Sequence, residues 1–144
     1  MKKLFSIVFL GILLVSCKQE ISEETEKQQI LSVMEKQEKA WFNHDLEGFM
    51  QGYWKSDSLK FYGRNGITFG WQKTLDNYKK GYPTKAHTGT LTFKVNDISK
   101  ITEGSYSVMG AYHLKRTVGD AEGVFMIIFK RIRGEWKIIA DTSC

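Results

Sequence analysis

The 144-residue sequence is poor in proline, cysteine and histidine, with one Pro, two Cys and three His. Two cysteines cannot build a disulfide framework. No HExxH helix, paired-cysteine motif or calcium-loop spacing occurs, so the sequence predicts neither a metal site nor a cofactor. The glycine spacings of phosphate-binding loops and the nucleophile elbow of serine hydrolases are also missing. These absences leave no motif for metal, nucleotide or serine-hydrolase chemistry.

The chain has only one long apolar run, residues 4–15, which is too short to span a bilayer as a permanent helix. Lys2 and Lys3 precede it, and a small-residue region follows, which is the anatomy of an export signal. The Leu-Val-Ser-Cys segment at residues 14–17 resembles the lipobox of bacterial lipoproteins. The sequence therefore predicts that residues 1–16 are removed.

The same resemblance implies that Cys17 becomes the lipidated first residue of the mature protein. A buried thiol at the end of an apolar stretch is the alternative interpretation. Two or more acyl chains hold a protein stably at a membrane surface. Lys18 after the cysteine, by resemblance to the sorting rule of enteric bacteria, favours the outer membrane. We therefore expect a lipid-anchored protein of the cell envelope, with the membrane as a partner.

The remaining chain is long enough for one domain and too short for two. Loss of Lys2 and Lys3 lowers the formal charge from +5 to +3, so nucleic acid is not an expected partner. Residues 17–24, which are polar and partly acidic, are predicted to form a tether. Residues 25–144 are predicted to form the domain.

Helical periodicity precedes strand periodicity along this domain. Apolar residues at three- and four-residue steps predict a helix that starts at Ser22 or Thr25 and includes Trp41. Asp45 is predicted to cap a short second helix, and Trp71 to begin the apolar face of a third. After Pro83, apolar and polar residues alternate, which indicates half-buried strands.

Residues 124–129 are apolar at both odd- and even-numbered positions, so both faces of this strand need to be covered. Helices can cover the concave face of a curved sheet. We expect a second copy of the protein to cover the convex face, giving a homodimer.

The order of elements and two motifs resemble the nuclear transport factor 2-like superfamily, in its bacterial branch related to SnoaL-like and ketosteroid isomerase-like proteins. One motif runs from Trp41 to Tyr53, where an Asp caps the second helix, and the other is the Gly-Glu-Trp-Lys-Ile-Ile-Ala-Asp segment at residues 134–141. The resemblance implies an α+β fold in which a cone-shaped, curved antiparallel sheet wraps around about three N-terminal helices.

Aromatic residues could line a ligand pocket in such a cone, or simply fill its core. Arg116 shares the parity of Tyr112, so it either meets an anionic group at the cone mouth or ends its strand in solvent. The three histidines, His44, His87 and His113, are expected in surface or capping roles. The pocket candidates are Trp41, Tyr53, Tyr78, Tyr112, Arg116 and Phe125.

Two functions remain open. The first is a binding module for a small hydrophobic or amphipathic ligand or a partner protein. The second is an isomerase, dehydratase or cyclase, since the resemblance implies an Asp or His beside a Tyr inside the cone. Asp141 with Tyr112 is the nearest equivalent here. Simple alternation, however, places Asp141 on the face opposite Trp136 and Ile138 unless a bulge intervenes, so no catalytic residue is assigned.

Overall fold

The computed structural model describes residues 21–144, so the predicted signal peptide and Cys17 lie outside the described residues. The helices of this part of the chain are α1 (Glu23–Phe42), α2 (Leu46–Met50), α3 (Trp71–Gly81) and α4 (Lys85–Thr88). The strands are β1 (Lys60–Gly63), β2 (Gly66–Phe69), β3 (Thr90–Thr102), β4 (Ser105–Lys115), β5 (Ala121–Ile132) and β6 (Glu135–Ser143). The predicted α+β class is confirmed. Within residues 21–144, no helix has both the length and the apolar character needed to cross a membrane.

Helix α1 begins at Glu23 because Ser22 caps it. The Ser22 hydroxyl accepts a hydrogen bond from the backbone N–H of Thr25 at 3.2 Å. Acidic residues in the first turn suit the positive end of the helix dipole. The expected domain boundary at residue 25 therefore falls inside the helix, and residues 23 and 24 of the predicted tether are helical.

One face of α1 is held against the sheet by apolar packing and by a buried carboxylate. Ile30 and Met34 are buried on this face. Glu26, only 3% exposed, accepts hydrogen bonds from the Tyr106 hydroxyl at 2.8 Å and from the Arg131 guanidinium at 3.0 Å. A buried charge needs such partners, so this network fixes the start of α1 on the sheet.

The short helix α2 depends on its cap. The Oδ1 atom of Asp45 accepts a hydrogen bond from the backbone N–H of Gly48 at 2.8 Å, as predicted. Leu46, Phe49 and Met50 are all buried, so the helix contributes three apolar side chains to the core. A helix of this length depends on such packing for its stability.

The six strands form one curved, open sheet in the order β2-β1-β6-β5-β4-β3. Five strand pairs occur, and four of them are antiparallel, but β1 runs parallel to β6. The sheet is therefore mixed, whereas a wholly antiparallel sheet was predicted. The sequence indicates the relative direction of two paired strands only where a short turn joins them. No hairpin joins β1 to β6, and strand β2 was not predicted separately.

The core lies between the helices and the concave face of the sheet. Tyr106, Val108 and Phe129 point into it and are fully buried. On the opposite face, Val124 and Met126 are 64% and 47% exposed. Alternate side chains of β5 thus face the core and the solvent, although both sets are apolar.

Candidate functional site

A bulge in β6 turns Asp141 into the core. Ile128 lies opposite Ala140, and Phe129, the next residue of β5, lies opposite Ile138, so Ile139 has no partner in the register. The extra residue reverses the parity of the strand after it. Asp141 is consequently 5% exposed, on the same side as Ile138. The outward direction given by simple alternation is therefore wrong, and the exception allowed for a bulge applies.

The bulge coincides with a change of neighbour at the edge of β6. Before it, the chain that follows α2 lies beside β6: the Ile138 N–H donates to the Gly52 carbonyl at 2.9 Å, and Tyr53 forms a parallel bridge with Ile138. After the bulge, β1 is the neighbour of β6, and Phe61 lies opposite Asp141. These two neighbours bring the side chain of Tyr53 next to the carboxylate.

Both oxygens of Asp141 accept hydrogen bonds from hydroxyl groups. The Tyr53 hydroxyl donates to Oδ2 at 2.6 Å, and the Ser143 hydroxyl donates to Oδ1 at 2.5 Å. Burial raises the pKa of Asp141 from 3.8 to about 6, and these two hydrogen bonds oppose the rise. Among the described residues, no basic side chain forms an ion pair with it. Asp141 is therefore a carboxylate of increased basicity.

The neighbouring phenols stay protonated. Burial, followed by the negative charge of Asp141, raises the pKa of Tyr53 and of Tyr78 well above the ordinary value. The proton of Tyr53 is engaged with the carboxylate, and Tyr78 interacts with the Tyr53 hydroxyl. Tyr78 is the phenol whose proton is not bonded to Asp141, so it is the candidate donor for an oxygen atom of a ligand.

A cavity of about 190 Å³ opens beside this pair. Asp141 is its only acidic wall residue among those described, and Gln37 and Ser143 add polar atoms. The rings in the wall support one another edge to face; the centroids of Trp41 and Phe49, for example, are 4.9 Å apart. The aromatic wall residues are Trp41, Phe49, Tyr53, Phe61, Tyr78, Tyr82, Phe93, Tyr112 and Phe125.

Trp41 shows how the wall is kept rigid. Its indole N–H donates to the Thr88 carbonyl at 2.8 Å, so its polar atom is satisfied by the protein. The Trp71 indole likewise donates to the Met50 carbonyl at 2.8 Å. Trp41 therefore offers the ligand its apolar ring.

The structure brings most of the predicted pocket residues together and leaves one apart. Five of the six predicted residues line the cavity: Trp41, Tyr53, Tyr78, Tyr112 and Phe125. Arg116 is not among the wall residues. It follows the end of β4, and its Nε atom donates to the Gly119 carbonyl at 2.7 Å within the turn before β5.

Several wall residues were not predicted from the sequence, notably Phe61, Arg64, Tyr82 and Phe93. Phe93 alternates with Leu91 and could have been found from that parity. Asp141 was paired with Tyr112 in the prediction, and the structure pairs it with Tyr53 instead.

None of the three histidines lies in the cavity wall. His44 and His87 contact threonine hydroxyls, with Nδ1–Oγ1 distances of 3.3 Å to Thr88 and 2.8 Å to Thr84. His113 is exposed on β4, with its Nδ1 atom 3.6 Å from Glu122. Within residues 21–144, no group of three His, Cys, Asp or Glu side chains is arranged to hold a metal ion.

The fold and the cavity define a class: an α+β cone in which a curved sheet and its covering helices enclose an aromatic pocket with a buried acid. The chain belongs to the nuclear transport factor 2-like family. A member of unknown function from Shewanella oneidensis MR-1 is 34% identical, with 82% of this chain and 98% of that chain covered and a TM-score of 0.79. The superfamily predicted from the sequence is confirmed.

More distant solved structures share the fold alone. A nuclear transport factor 2-like superfamily protein from Salmonella enterica is 16% identical, covering 85% of this chain and 92% of that chain, with a TM-score of 0.68. A ketosteroid isomerase-like protein from Erwinia carotovora atroseptica is 12% identical, covering 82% and 94%, with a TM-score of 0.63. No family model and no curated protein matches the chain.

Proposed function

We propose that the protein is an acid–base catalyst of isomerase type that acts on a small, mainly apolar carbonyl compound. The observation that carries this proposal is Asp141, a buried carboxylate with a pKa of about 6 that faces an aromatic cavity and is bonded to Tyr53 at 2.6 Å. A base is most effective when its pKa lies near the working pH. At pH 7 such a group is mostly ionised, yet it is more basic than an ordinary aspartate.

The proposed reaction needs no cofactor. Asp141 removes a proton from the carbon next to the carbonyl, and the electron pair of the C–H bond forms the enolate. Tyr78 donates a hydrogen bond to the enolate oxygen. Asp141 then gives a proton, either the one it removed or one exchanged with solvent, to the γ carbon of a β,γ-unsaturated substrate, so the double bond moves into conjugation.

The cavity restricts the size of the substrate. Its volume of about 190 Å³ compares with roughly 150 Å³ for an engineered cavity that binds benzene. One ring or a short chain fits this space. A fused four-ring steroid exceeds this volume and would have to project out of the cavity.

A non-catalytic binding module is the second candidate. The observation in its favour is that both carboxylate oxygens of Asp141 already accept hydrogen bonds. A carboxylate held in this way could serve only to orient a ligand. The two candidates share the ligand class and differ in whether a proton moves.

Cyclohex-3-enone, a single-ring ketone, tests the proposal directly. We expect the protein to convert it into its conjugated isomer, and ultraviolet absorbance measures this conversion. In deuterium oxide, we expect the product to contain deuterium. Asp141→Asn keeps the size of the side chain and removes the base, and should slow the reaction about 100-fold or more.

The control is Asp76→Asn, which changes an exposed carboxylate on α3 and should leave the rate unaltered. Saturable binding of the ketone without isomerisation or exchange would contradict catalysis and leave the binding module. Equal rates for Asp141→Asn and the unmodified protein would show that Asp141 is not the base.

We also propose that a lipid on Cys17 holds the domain at the outer membrane. The lipobox-like segment at residues 14–17 supports this, and the start of α1 at Glu23 leaves only residues 18–22 between anchor and domain. We expect the full chain to fractionate with membranes and Cys17→Ser to abolish that association. Cys144→Ser is the matched control, and an unchanged distribution of Cys17→Ser would refute the anchor.

A further inference from the structure

Arg64 gives the cavity wall a positive charge. It lies in the turn between β1 and β2 and is the only basic residue among the described residues of the cavity wall. Its side chain is exposed. Within residues 21–144, it forms no ion pair or side-chain hydrogen bond with another residue. An arginine at a cavity wall without an acidic partner is available to a ligand.

The register of the sheet separates Arg64 from Asp141. Phe61 lies opposite Asp141 in the parallel pair of β1 and β6, and Arg64 follows three residues later, in the turn after β1. At roughly 3.3 Å per extended residue, the two backbone positions are at most about 10 Å apart along the strand direction. Asp141 is buried and Arg64 is exposed, so the acidic and the basic residue belong to different parts of the cavity wall.

Gly63 lies between these two groups in the chain and lines the cavity. A Cβ atom at this position would lie 3.0 Å from the ring of Phe61, so the absence of a side chain lets that ring pack against the backbone. Phe61, Gly63 and Arg64 all line the cavity, so its wall continues from the aromatic part to Arg64.

We propose that the substrates are small monocarboxylates that also carry the unsaturated ketone group, whose carboxylate pairs with Arg64 while the apolar body lies among the rings. This inference rests on the proposed function and names its substrate class. A guanidinium matches a carboxylate with two parallel hydrogen bonds. The negative charge of Asp141 repels an anion placed beside it, so only one orientation is favourable, with the reacting carbon at Asp141 and the anionic group at Arg64.

Phenylpropanoate and phenylpropanamide are a matched pair of probes that differ in charge and hardly in size. Calorimetry on the purified protein at pH 7.5 and low salt should show that the carboxylate binds about fivefold tighter than the amide, the scale of an exposed ion pair. Arg64→Gln should remove this preference and leave the affinity for the amide unchanged. Arg64→Lys should retain part of it, and added salt should weaken it.

Arg116→Gln is the control, because Arg116 lies outside the cavity wall and should not affect the preference. Equal affinities of the unmodified protein for the two probes would overturn the inference. A preference that depends on Arg116, or an equal loss of both probes in Arg64→Gln, would also overturn it.

The two proposals can fail separately. Isomerisation of the neutral ketone by the unmodified protein tests Asp141 independently, because this substrate has no carboxylate for Arg64 to bind. If the carboxylate preference is absent while that reaction depends on Asp141, only the substrate class is wrong. If the preference is present and no reaction occurs, the proposed catalysis is wrong and the protein binds carboxylates.

Discussion

At the scale of single residues, Asp141 makes the fold less stable at neutral pH. Its pKa is 3.8 in the ordinary state and about 6 in the folded protein, so the folded state binds its proton more tightly. Stability from this group is complete below pH 4 and is lost as the pH rises through 6. The rise corresponds to about 3 kcal/mol.

Asp141→Asn should therefore stabilise the protein, and more so at high pH. We expect the difference in unfolding free energy between variant and unmodified protein to be near zero at pH 4 and to approach about 3 kcal/mol at pH 7.5. Urea denaturation at a series of pH values measures it. A difference that does not change with pH would mean that the carboxylate is not destabilised by burial.

Ser143 moderates the basicity of Asp141. Its hydroxyl hydrogen bond lowers the pKa of the carboxylate, against the larger effect of burial. Ser143→Ala should raise that pKa and shift the acidic limb of the kcat/KM profile to higher pH. Thr142→Ala, on the exposed face of the same strand, is the control and should leave the profile in place.

The aromatic wall could be predicted from residue types and periodicity, whereas the acid could not. Trp41, Tyr53 and Tyr112 belong to helical or alternating patterns of apolar residues. Such a pattern places these side chains on the core side of their elements, however the elements pack together. The direction of Asp141 depends on a single unpaired residue, Ile139. Nothing in a local run of β-forming residues shows where a bulge occurs.

At the scale of elements, the features that the local sequence pattern did not predict depend on pairing between strands that are distant in the sequence. The bulge at Ile139 lies where the neighbour of β6 changes from the chain after α2 to strand β1. The parallel direction of β1 has the same origin, since no turn links it to β6. Helix α1, the cap of α2 and the alternating strands after Pro83 depend on nearby residues and were predicted, whereas β2 was not.

Glycine 110 lets two neighbouring strands and a wall ring approach closely. A Cβ atom on Gly110 of β4 would lie 2.3 Å from the Lys94 carbonyl oxygen and 2.7 Å from the ring of Phe125. Gly110→Ala should therefore force the backbone of β3 or this ring to move. We expect a loss of about 1–3 kcal/mol in unfolding free energy, measured by urea denaturation.

Gly81→Ala is the matched control for this element. A Cβ atom at Gly81, the last residue of α3, would meet nothing within 4 Å. Its substitution should be neutral or slightly stabilising, because alanine is the better helix former. If the two variants are equally stable, the close approach at Gly110 is not a constraint.

At the scale of the whole molecule, the outer face of the sheet is more apolar than a solvent-exposed surface requires. Met109 and Met126 lie opposite each other on β4 and β5, and are 43% and 47% exposed. Val124 lies two residues before Met126 on the same parity and is 64% exposed. Contiguous exposed apolar side chains commonly mark an interaction surface.

We propose that a second copy of the chain covers this face. The apolar residues on both faces of β5 led to the same prediction from the sequence. A twofold dimer would bury the same patch on both partners and leave both cavities on the far side of their sheets. The purified protein should then be a dimer at micromolar concentration by light scattering. Met126→Lys should shift it towards the monomer, because each interface would bury two unpaired ammonium groups.

Val118→Lys places the same charge on an apolar residue that is 52% exposed in the turn between β4 and β5, away from the central patch. It should leave the dimer intact. Ligand binding by monomeric Met126→Lys should remain, since Met126 lies outside the cavity wall. A monomer in the unmodified protein, or a dimer that withstands Met126→Lys, would mean that the outer face has a different partner or none. Because the cavity and this face lie on opposite sides of one sheet, the two measurements separate what the protein binds from what it assembles with.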